Sequence, residues 1–269
     1  MEPISLQTTI FLGIAGCIAG FVDSIAGGGG LIALPALLST GIPPHLALGT
    51  NKMQGCFGTF TAAANYGRNN LFHFRDTFQG ILYTAVGAGA GTMTIQHLST
   101  DFLRYVIPIL LLAVFLYMLF SPQIGENETS PVLSPAVFYG TAGLILGFYD
   151  GFFGPGTGSF WMMGFILRLG INLKKATAHT KIMNFTSNIV ALGFFTMENQ
   201  VLFRIGLVMG IGQVIGAFAG SNLVVLKNSK LVRIFLLTVI AMTILRLLIT
   251  TYLNVYCRIW LINKRERSC

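Results

Sequence analysis

Two acidic residues, each followed by a glycine-rich stretch and then by a lysine, are the residues best placed to do chemistry. The first stretch runs from Asp23 to Lys52 and the second from Asp150 to Lys181, both inside strongly apolar sequence. Charges inside apolar membrane segments are energetically costly and usually functional. The pattern predicts one charged-solute site formed by both stretches. Each lysine is expected to begin a long apolar helix. The alternative to a role in solute binding is that both lysine side chains extend to the lipid headgroups.

The glycines of both stretches predict interrupted helices, because consecutive glycines lose much backbone entropy and do not sustain a helix. A helix that starts after such a break presents unpaired N–H groups and a positive dipole end, which suits an anion. A tight turn or close helix packing is the alternative explanation. The candidate substrate-binding residues are Gly27, Gly28, Gly29, Gly30, Asn51, Lys52, Gly154, Gly156, Gly158, Thr180 and Lys181.

Three titratable groups are candidates for proton coupling, namely Asp23, Asp150 and His179. A carboxylate near the C-terminus of a helix meets an unfavourable dipole, so it can take up a proton or pair with a lysine. A fixed salt bridge for each aspartate and a buried, hydrogen-bonded histidine are the structural alternatives. Asn184 and Asn188 are expected either to line the solute path or to join neighbouring helices.

The composition predicts an integral membrane protein. Of 269 residues, 54% are hydrophobic and 10% are charged, and the mean hydropathy is +0.72. Soluble domains are typically about 25% charged. Four apolar runs approach the ~20 residues that cross a bilayer as a helix: 4–22, 102–120, 202–226 and 231–253. A soluble helical protein with these runs would lack the polar residues to cover its core.

The net charge of +8 comes mostly from bases at the ends of apolar segments and in the tail. That placement is typical of loops at a cytoplasmic leaflet and argues against a nucleic-acid partner. The four cysteines form neither a C-x-x-C pair nor a Cys/His ligand pattern, so no metal site is predicted. The first apolar run is not preceded by a basic segment and has no A-x-A cleavage site. We therefore expect it to remain in the mature protein.

Repeated spacings predict an internal duplication. The two aspartates differ by 127 positions, and an offset of 129 relates several further pairs of like residues. Those pairs are Lys52 and Lys181, Arg104 and Arg233, Gly87 and Gly216, and Gly91 and Gly220. Repeats with interrupted helices at corresponding positions are typical of secondary transporters, whose site lies where the repeats meet. The small residues of the Gly-x-x-x-Gly pairs predict close helix packing.

The predicted fold is an all-α integral membrane protein. It has two internal repeats of about four to five helical elements each, with Gly-rich broken or re-entrant helices at the repeat interface. The divisions are a repeat at 1–120, a polar linker at 121–135, a second repeat at 136–257 and a basic tail at 258–269. Helices are expected at about 4–22, 31–40, 46–66, 76–95 and 102–120, with a proline-containing turn at 41–44. The charges leave open whether the repeats are inverted or parallel.

The motifs also carry a family resemblance. GFVDSIAGGGGLIALPALLSTGIPPHLALGTNK at 20–52, with GFYDGFFGPGTGS at 147–159 and KATAHTK at 175–181, resembles the TauE/SafE sulfite-exporter (TSUP) permeases and specifically their YfcA-type branch. The resemblance spans nearly the whole chain. It implies a multi-pass transporter of the bacterial inner membrane without a cofactor. It also implies a small sulfur-containing or organic anion as substrate, such as sulfite or a sulfonate, coupled to an ion gradient.

Three functional hypotheses follow. The leading one is a permease or exporter that moves a small anion by alternating access, with the lysines holding the anion and an aspartate taking the coupling proton. A passive anion channel is the second. An intramembrane enzyme using Ser159 and His179 is the third, and neither a rhomboid-type serine motif nor an H-x-x-x-H pair supports it. The expected partners are the anionic substrate and the lipid bilayer, and a homo-oligomer is compatible with the sequence.

Overall fold

A computed structural model describes residues 5–120 and 128–226, apart from the side chains of 118–120. This part of the chain is helical, with no strand. Its helices are α1 (Leu6–Ala26), α2 (Gly30–Ser39), α3 (Pro44–Arg68), α4 (Phe74–Gln96), α5 (Thr100–Phe120), α6 (Pro135–Phe152), α7 (Thr157–Leu169), α8 (Leu173–Met197) and α9 (Phe203–Leu226). The predicted apolar run 231–253, the basic tail 258–269 and linker positions 121–127 lie outside the described residues.

Two helix starts correct the sequence-based expectations. Pro44 is the first residue of α3, where a proline's missing N–H is not needed. Asn172 caps α8, its side chain accepting a hydrogen bond from the N–H of Lys175. The prediction that Lys52 and Lys181 begin helices is therefore wrong, because each lies more than two turns inside one. These lysines project from the middle of long helices, not from helix ends.

The distribution of apolar residues is that of a protein surrounded by lipid. Three described helices, α1, α5 over Thr100–Tyr117 and α9, are long and apolar enough to cross a membrane. Their outward faces carry exposed residues such as Ile10, Ile14, Ile211 and Ile215. The interior instead holds charged and amide side chains, including Lys52, Asp150, Lys181, Gln54 and Gln213. Soluble proteins show the opposite arrangement.

Glycines allow two helix pairs to pack backbone against backbone. α9 packs on α1, and α4 packs on α6. A Cβ added at Gly216 would come within 2.7 Å of the Phe21 nitrogen on α1. A Cβ added at Gly87 would come within 2.8 Å of the Phe148 nitrogen on α6. The predicted small-residue packing faces are therefore confirmed.

The largest hydrophobic cluster lies around α2 and holds the first helix break in place. Leu31, Leu34 and Leu37 of α2 are fully buried in it, together with residues of α1, α3, α5 and α9. α2 has only 10 residues and α7 only 13, so both are shorter than a bilayer crossing. The two short helices thus have apolar support while their first residues remain near the polar interior.

Candidate functional site

Both glycine-rich stretches interrupt helices, as predicted. α1 ends at Ala26, and Gly27 caps it with φ of 73°, a left-handed conformation that side chains rarely adopt. α6 ends at Phe152, and Gly154 follows with φ of 98°. Only a few residues separate each break from the start of the next short helix. The conformations of Gly27 and Gly154 explain why glycine occupies these positions.

The two breaks touch each other. Gly27 lies against Gly158 so closely that a Cβ on either residue would overlap the other backbone. A Cβ on Gly30 would come within 3.1 Å of Pro155. The hydroxyl of Ser159 donates a hydrogen bond of 2.8 Å to the carbonyl of Ala26. The interrupted segments, 127 residues apart in sequence, therefore form one structural unit.

The four charged residues form two buried ion pairs that join the breaks to the long helices. Lys52 Nζ of α3 lies 2.7 Å from Asp150 Oδ1 of α6 and also donates to the Asp150 carbonyl. Lys181 Nζ of α8 lies 3.1 Å from Asp23 Oδ2 of α1 and also donates to the Asp23 carbonyl. Each ammonium thus faces the C-terminal end of a helix, where positive charge is favourable.

These pairs decide between the alternatives for the charged residues. Lys52 and Lys181 are buried, with relative exposures of 2% and 0%, so neither side chain extends to the headgroups. Each aspartate is paired with a lysine, and each pair crosses from the first half of the chain to the second. The lysine charges are therefore compensated by carboxylates in this conformation.

The two carboxylates are held differently. Asp150 receives Lys52 on one oxygen and the hydroxyl of Ser187 on the other, and its side chain is 5% exposed. Asp23 receives Lys181 and, at 3.2 Å, the N–H of Gly29, and its side chain is 15% exposed. Asp150 is the more enclosed carboxylate, and Asp23 is the more accessible one.

The starts of the short helices are less available to an anion than the sequence predicts. At α2 the N–H of Gly29 is used by Asp23, and the N–H of Leu31 bonds the carbonyl of Gly28. At α7 the N–H of Thr157 bonds the carbonyl of Gly154. The chain's own acceptors thus take these donors: a carboxylate accepts from Gly29, and backbone carbonyls accept from Leu31 and Thr157.

A polar cavity lies beside the breaks and the ion pairs. It comprises about 420 Å³ of space not filled by atoms, its open mouth included. Both aspartates line it, as do neutral amides of α3, α8 and α9. The lining residues are Asp23, Gly27, Gly29, Gly30, Asn51, Lys52, Gln54, Gly55, Thr59, Asp150, Gly154, Asn184, Asn188 and Gln213. The cavity therefore presents both charged and amide groups to a solute that reaches it.

Three carboxamides on the cavity wall form a hydrogen-bonded chain. Gln54 donates at 2.8 Å to Asn51 Oδ1, and Gln213 of α9 donates to Gln54 Oε1. Two further amides lie on α8, where Asn188 follows Asn184 by one helical turn. Asn184 is 6% exposed, and its Oδ1 has no partner within the described part of the chain. The wall therefore combines satisfied and unsatisfied amides.

The structure brings most of the predicted site residues to this cavity, but not all. Eight of the predicted substrate-binding and proton-coupling residues line it, and Lys181 joins them through its contact with Asp23. The predicted residues away from the lining are Gly28, Gly156, Gly158, Thr180 and His179.

His179 lies in an aromatic cluster apart from the cavity. Its Nδ1 is 3.4 Å from the hydroxyl of Tyr139, and its ring contacts Phe165 and Phe72. Ser159 is occupied with the carbonyl of Ala26, so the serine and the histidine do not form a nucleophile–base pair. The geometry therefore gives no support to the intramembrane-enzyme hypothesis.

Sequence reasoning missed several functional candidates. Gln54, Thr59 and Gln213 line the cavity, and Ser187 bonds Asp150. A sequence signal exists for Gln213, because its carboxamide lies in the middle of the apolar run 202–226. Polar side chains at such positions generally face a protein interior or a water-filled cavity.

The fold and site together define a helical membrane protein with an apolar exterior and a charged, glycine-interrupted interior. The family model described as Sulfite exporter TauE/SafE matches residues 12–247, and the chain belongs to this family. The resemblance stated from the motifs is therefore confirmed. The chain is a member of a transporter family and not of an enzyme family.

Curated relatives agree with this assignment. The "Probable membrane transporter protein ORF9" of Sinorhizobium sp is 42% identical over 248 residues, covering 92% of this chain and 95% of the relative. A "Probable membrane transporter protein" of Haemophilus influenzae is 41% identical over 230 residues, covering 86% and 90%. The "Probable membrane transporter protein YfcA" of Escherichia coli (strain K12) is 41% identical over 248 residues, covering 92% and 91%.

Proposed function

We propose that this chain is a secondary transporter that moves a small anion, such as sulfite or a sulfonate, across the bacterial inner membrane by alternating access. The proposal rests on one observation. Two buried lysine–aspartate pairs flank a single polar cavity at the point where two interrupted helices meet. Intramembrane ionisable groups typically mark solute and proton pathways.

An internal duplication is part of the proposal, with repeats at 1–120 and 136–257 in a multi-pass chain. Helix starts support it, because α1 and α6, α3 and α8, and α4 and α9 each begin 129 residues apart. The two halves also pack across each other, because α1 of the first half lies on α9 of the second, and α6 of the second half lies on α4 of the first. Alternating access commonly arises when one repeat moves against the other around a central site.

The ion pairs suggest how an anion and a proton are coupled. Two lysines and two aspartates give the interior no net formal charge. Adding an anion to a neutral buried cavity is unfavourable. If Asp23 takes a proton, Lys181 loses its counter-ion and becomes available to offset the charge of the anion. The proton and the anion then enter together, and Asp23 is the better candidate because it is the more exposed carboxylate.

Flux measurements in proteoliposomes test the proposal. We expect uptake of ³⁵S-labelled sulfite or methanesulfonate to exceed that of protein-free vesicles and to accelerate when the outside is made acidic. Asp23→Asn should abolish the acceleration, because an amide cannot take up the proton. Asp101→Asn is the matched control, since Asp101 is an exposed carboxylate whose ion-pair partner within the described residues is Arg104.

Two outcomes would contradict the proposal. Uptake no greater than that of empty vesicles for both anions would refute transport of this substrate class. Uptake that follows membrane potential but ignores the pH and sodium gradients would select the passive anion channel instead.

A further inference from the structure

The polar groups that remain available to a solute in the cavity are mainly carboxamides. The lysine ammonium groups are bound to Asp150 and Asp23. Five carboxamide residues reach the same cavity from three helices: Asn51 and Gln54 on α3, Asn184 and Asn188 on α8, and Gln213 on α9. The oxygen of Asn51 is already bonded by Gln54. A carboxamide offers two N–H donors and one acceptor oxygen, so it can bind an oxoanion without contributing charge.

Asn184 is the clearest sign that this wall is built for a ligand. It is 6% exposed, its Oδ1 lacks a hydrogen-bond partner among the described residues, and it faces the cavity. A buried polar group without a partner is costly, so it is expected to be matched by something that enters. Because a carboxamide can turn by about 180°, Asn184 can present either its oxygen or its N–H groups to that molecule.

Under the proposed duplication, the positions equivalent to these carboxamides do not hold carboxamides. The contact between Gln54 and Gln213 has a counterpart 129 residues away, where Thr84 Oγ1 lies 3.5 Å from Met183 Sδ. The positions that correspond to Asn184 and Asn188 hold Gly55 and Thr59. The helices pack at these equivalent positions without amides, so helix packing alone does not require the amides.

We propose that Gln54, Asn184, Asn188 and Gln213 bind the polar head of the transported solute, and that this solute is a small monovalent oxoanion. The inference rests on the proposed transport function. The cavity has no net formal charge, and the cost of burying an ion rises steeply with its charge. A dianion of the same shape therefore binds this neutral wall less well than a monoanion.

Ligand-induced thermal stabilisation of the full chain in detergent tests the inference. Methanesulfonate and sulfate are the probes, because they share a tetrahedral sulfur–oxygen head and differ in charge. We expect methanesulfonate to raise the melting temperature, and sulfate to require at least a tenfold higher concentration for the same shift. Equal stabilisation by both anions, or stabilisation by neither, would overturn the assigned solute class.

Variants test the residues themselves. Asn184→Leu removes the amide while keeping the number and branching of the side-chain heavy atoms, and we expect it to raise the methanesulfonate concentration needed for half the shift by at least tenfold. Gln213→Thr, which installs the residue found at the counterpart position, should have a similar effect. Gln96→Leu is the control, because Gln96 is also a partly unpartnered buried amide but does not line the cavity.

The outcomes separate this inference from the proposed function. If wild-type protein transports an anion and Asn184→Leu binds and transports it equally well, the carboxamide site is wrong while the transport function stands. If methanesulfonate binds through Asn184 but no vesicle uptake occurs, the binding site stands and the transport proposal fails.

Discussion

The two lysine–aspartate pairs have similar partners but different surroundings. Lys52 and Asp150 are closely enclosed, and Ser187 supplies a third group to the carboxylate. Asp23 meets Lys181 at a longer distance, 3.1 Å against 2.7 Å, and its side chain is three times as exposed, 15% against 5%. Under the proposed duplication, Gly58 stands where Ser187 stands in the other half, so no hydroxyl is available at the equivalent position.

The difference indicates a division of labour between the pairs. An enclosed pair that loses one partner leaves an uncompensated buried charge, which is strongly destabilising. A more accessible carboxylate can exchange its partner for a proton at lower cost. We therefore infer that the Asp150 pair holds the two halves together, whereas the Asp23 pair responds to protons and solute. Because the supporting residues differ chemically, the two pairs do not have interchangeable roles.

Removing each lysine should give the largest contrast. We expect Lys52→Met to cost about 3–5 kcal/mol, the range for breaking a buried pair, because Asp150 is left without its main partner. Lys181→Met should cost about 1–3 kcal/mol, because Asp23 keeps the N–H of Gly29 and some exposure. The measurement is the thermal unfolding midpoint of each purified variant, with the yield of monodisperse protein.

A double variant checks the physical cause. Lys52→Met combined with Asp150→Leu removes both charges, and replacing a buried pair by apolar residues is often neutral. The double variant should therefore recover most of the stability lost by Lys52→Met. Equal losses for the two single lysine variants would contradict the proposed difference between the pairs.

The presence of most helices can be predicted from the sequence, because long apolar runs must be helical in lipid. The predicted elements at 31–40, 46–66 and 76–95 correspond to α2, α3 and α4 within two residues at each end. The predicted first helix ends at 22, four residues before the observed end at Ala26. The helix continues past Asp23, whose carboxylate is compensated by Lys181.

The pairing of the charges, and the part that the two glutamines play in the cavity wall, do not follow from the sequence. Each lysine follows one aspartate in sequence but binds the other, since Lys52 bonds Asp150, 98 positions away. Only the crossing of the two halves in space decides this choice. Neutral amides such as Gln54 and Gln213 carry no charge and follow no strong spacing pattern. Their role emerges only when the helices bring them to one cavity.

Alanine at Gly27 or Gly154 should lower the unfolding midpoint by an intermediate amount. The two variants differ because the added Cβ meets backbone at one site and side chains at the other. At Gly27 a Cβ would strike the backbone of Gly158, and at Gly154 it would meet the movable ends of Lys52 at 2.7 Å and Asp150 at 2.9 Å. Both sites also carry the left-handed backbone penalty of about 1–2 kcal/mol. We expect Gly27→Ala to lower the free energy of unfolding by about 1–3 kcal/mol more, because overpacked sites typically lose that much.

Gly41→Ala isolates the backbone penalty, because Gly41 has φ of 80° and no atom within 4 Å of an added Cβ. The three alanine variants should therefore unfold thermally in the order Gly27, Gly154 and Gly41, from least to most stable. An unfolding midpoint of Gly27→Ala equal to that of Gly41→Ala would show that the two breaks are not in close contact.

The smallest expected effect concerns the extra hydroxyl on the enclosed pair. Ser187→Ala removes the donor to Asp150 Oδ2 but leaves Lys52 in place. A hydrogen bond to a charged group contributes about 1.5–3 kcal/mol, so the variant should show a modest drop in unfolding midpoint. Thr186→Val is the control, because the hydroxyl of Thr186 donates to the carbonyl of Ile182 in its own helix and not to an ion pair of the described residues. Flux that is insensitive to Ser187→Ala, with the pH response of the wild type retained, would place the coupling at Asp23. A shifted pH response would instead assign Asp150 a part in proton uptake and remove the distinction between the pairs.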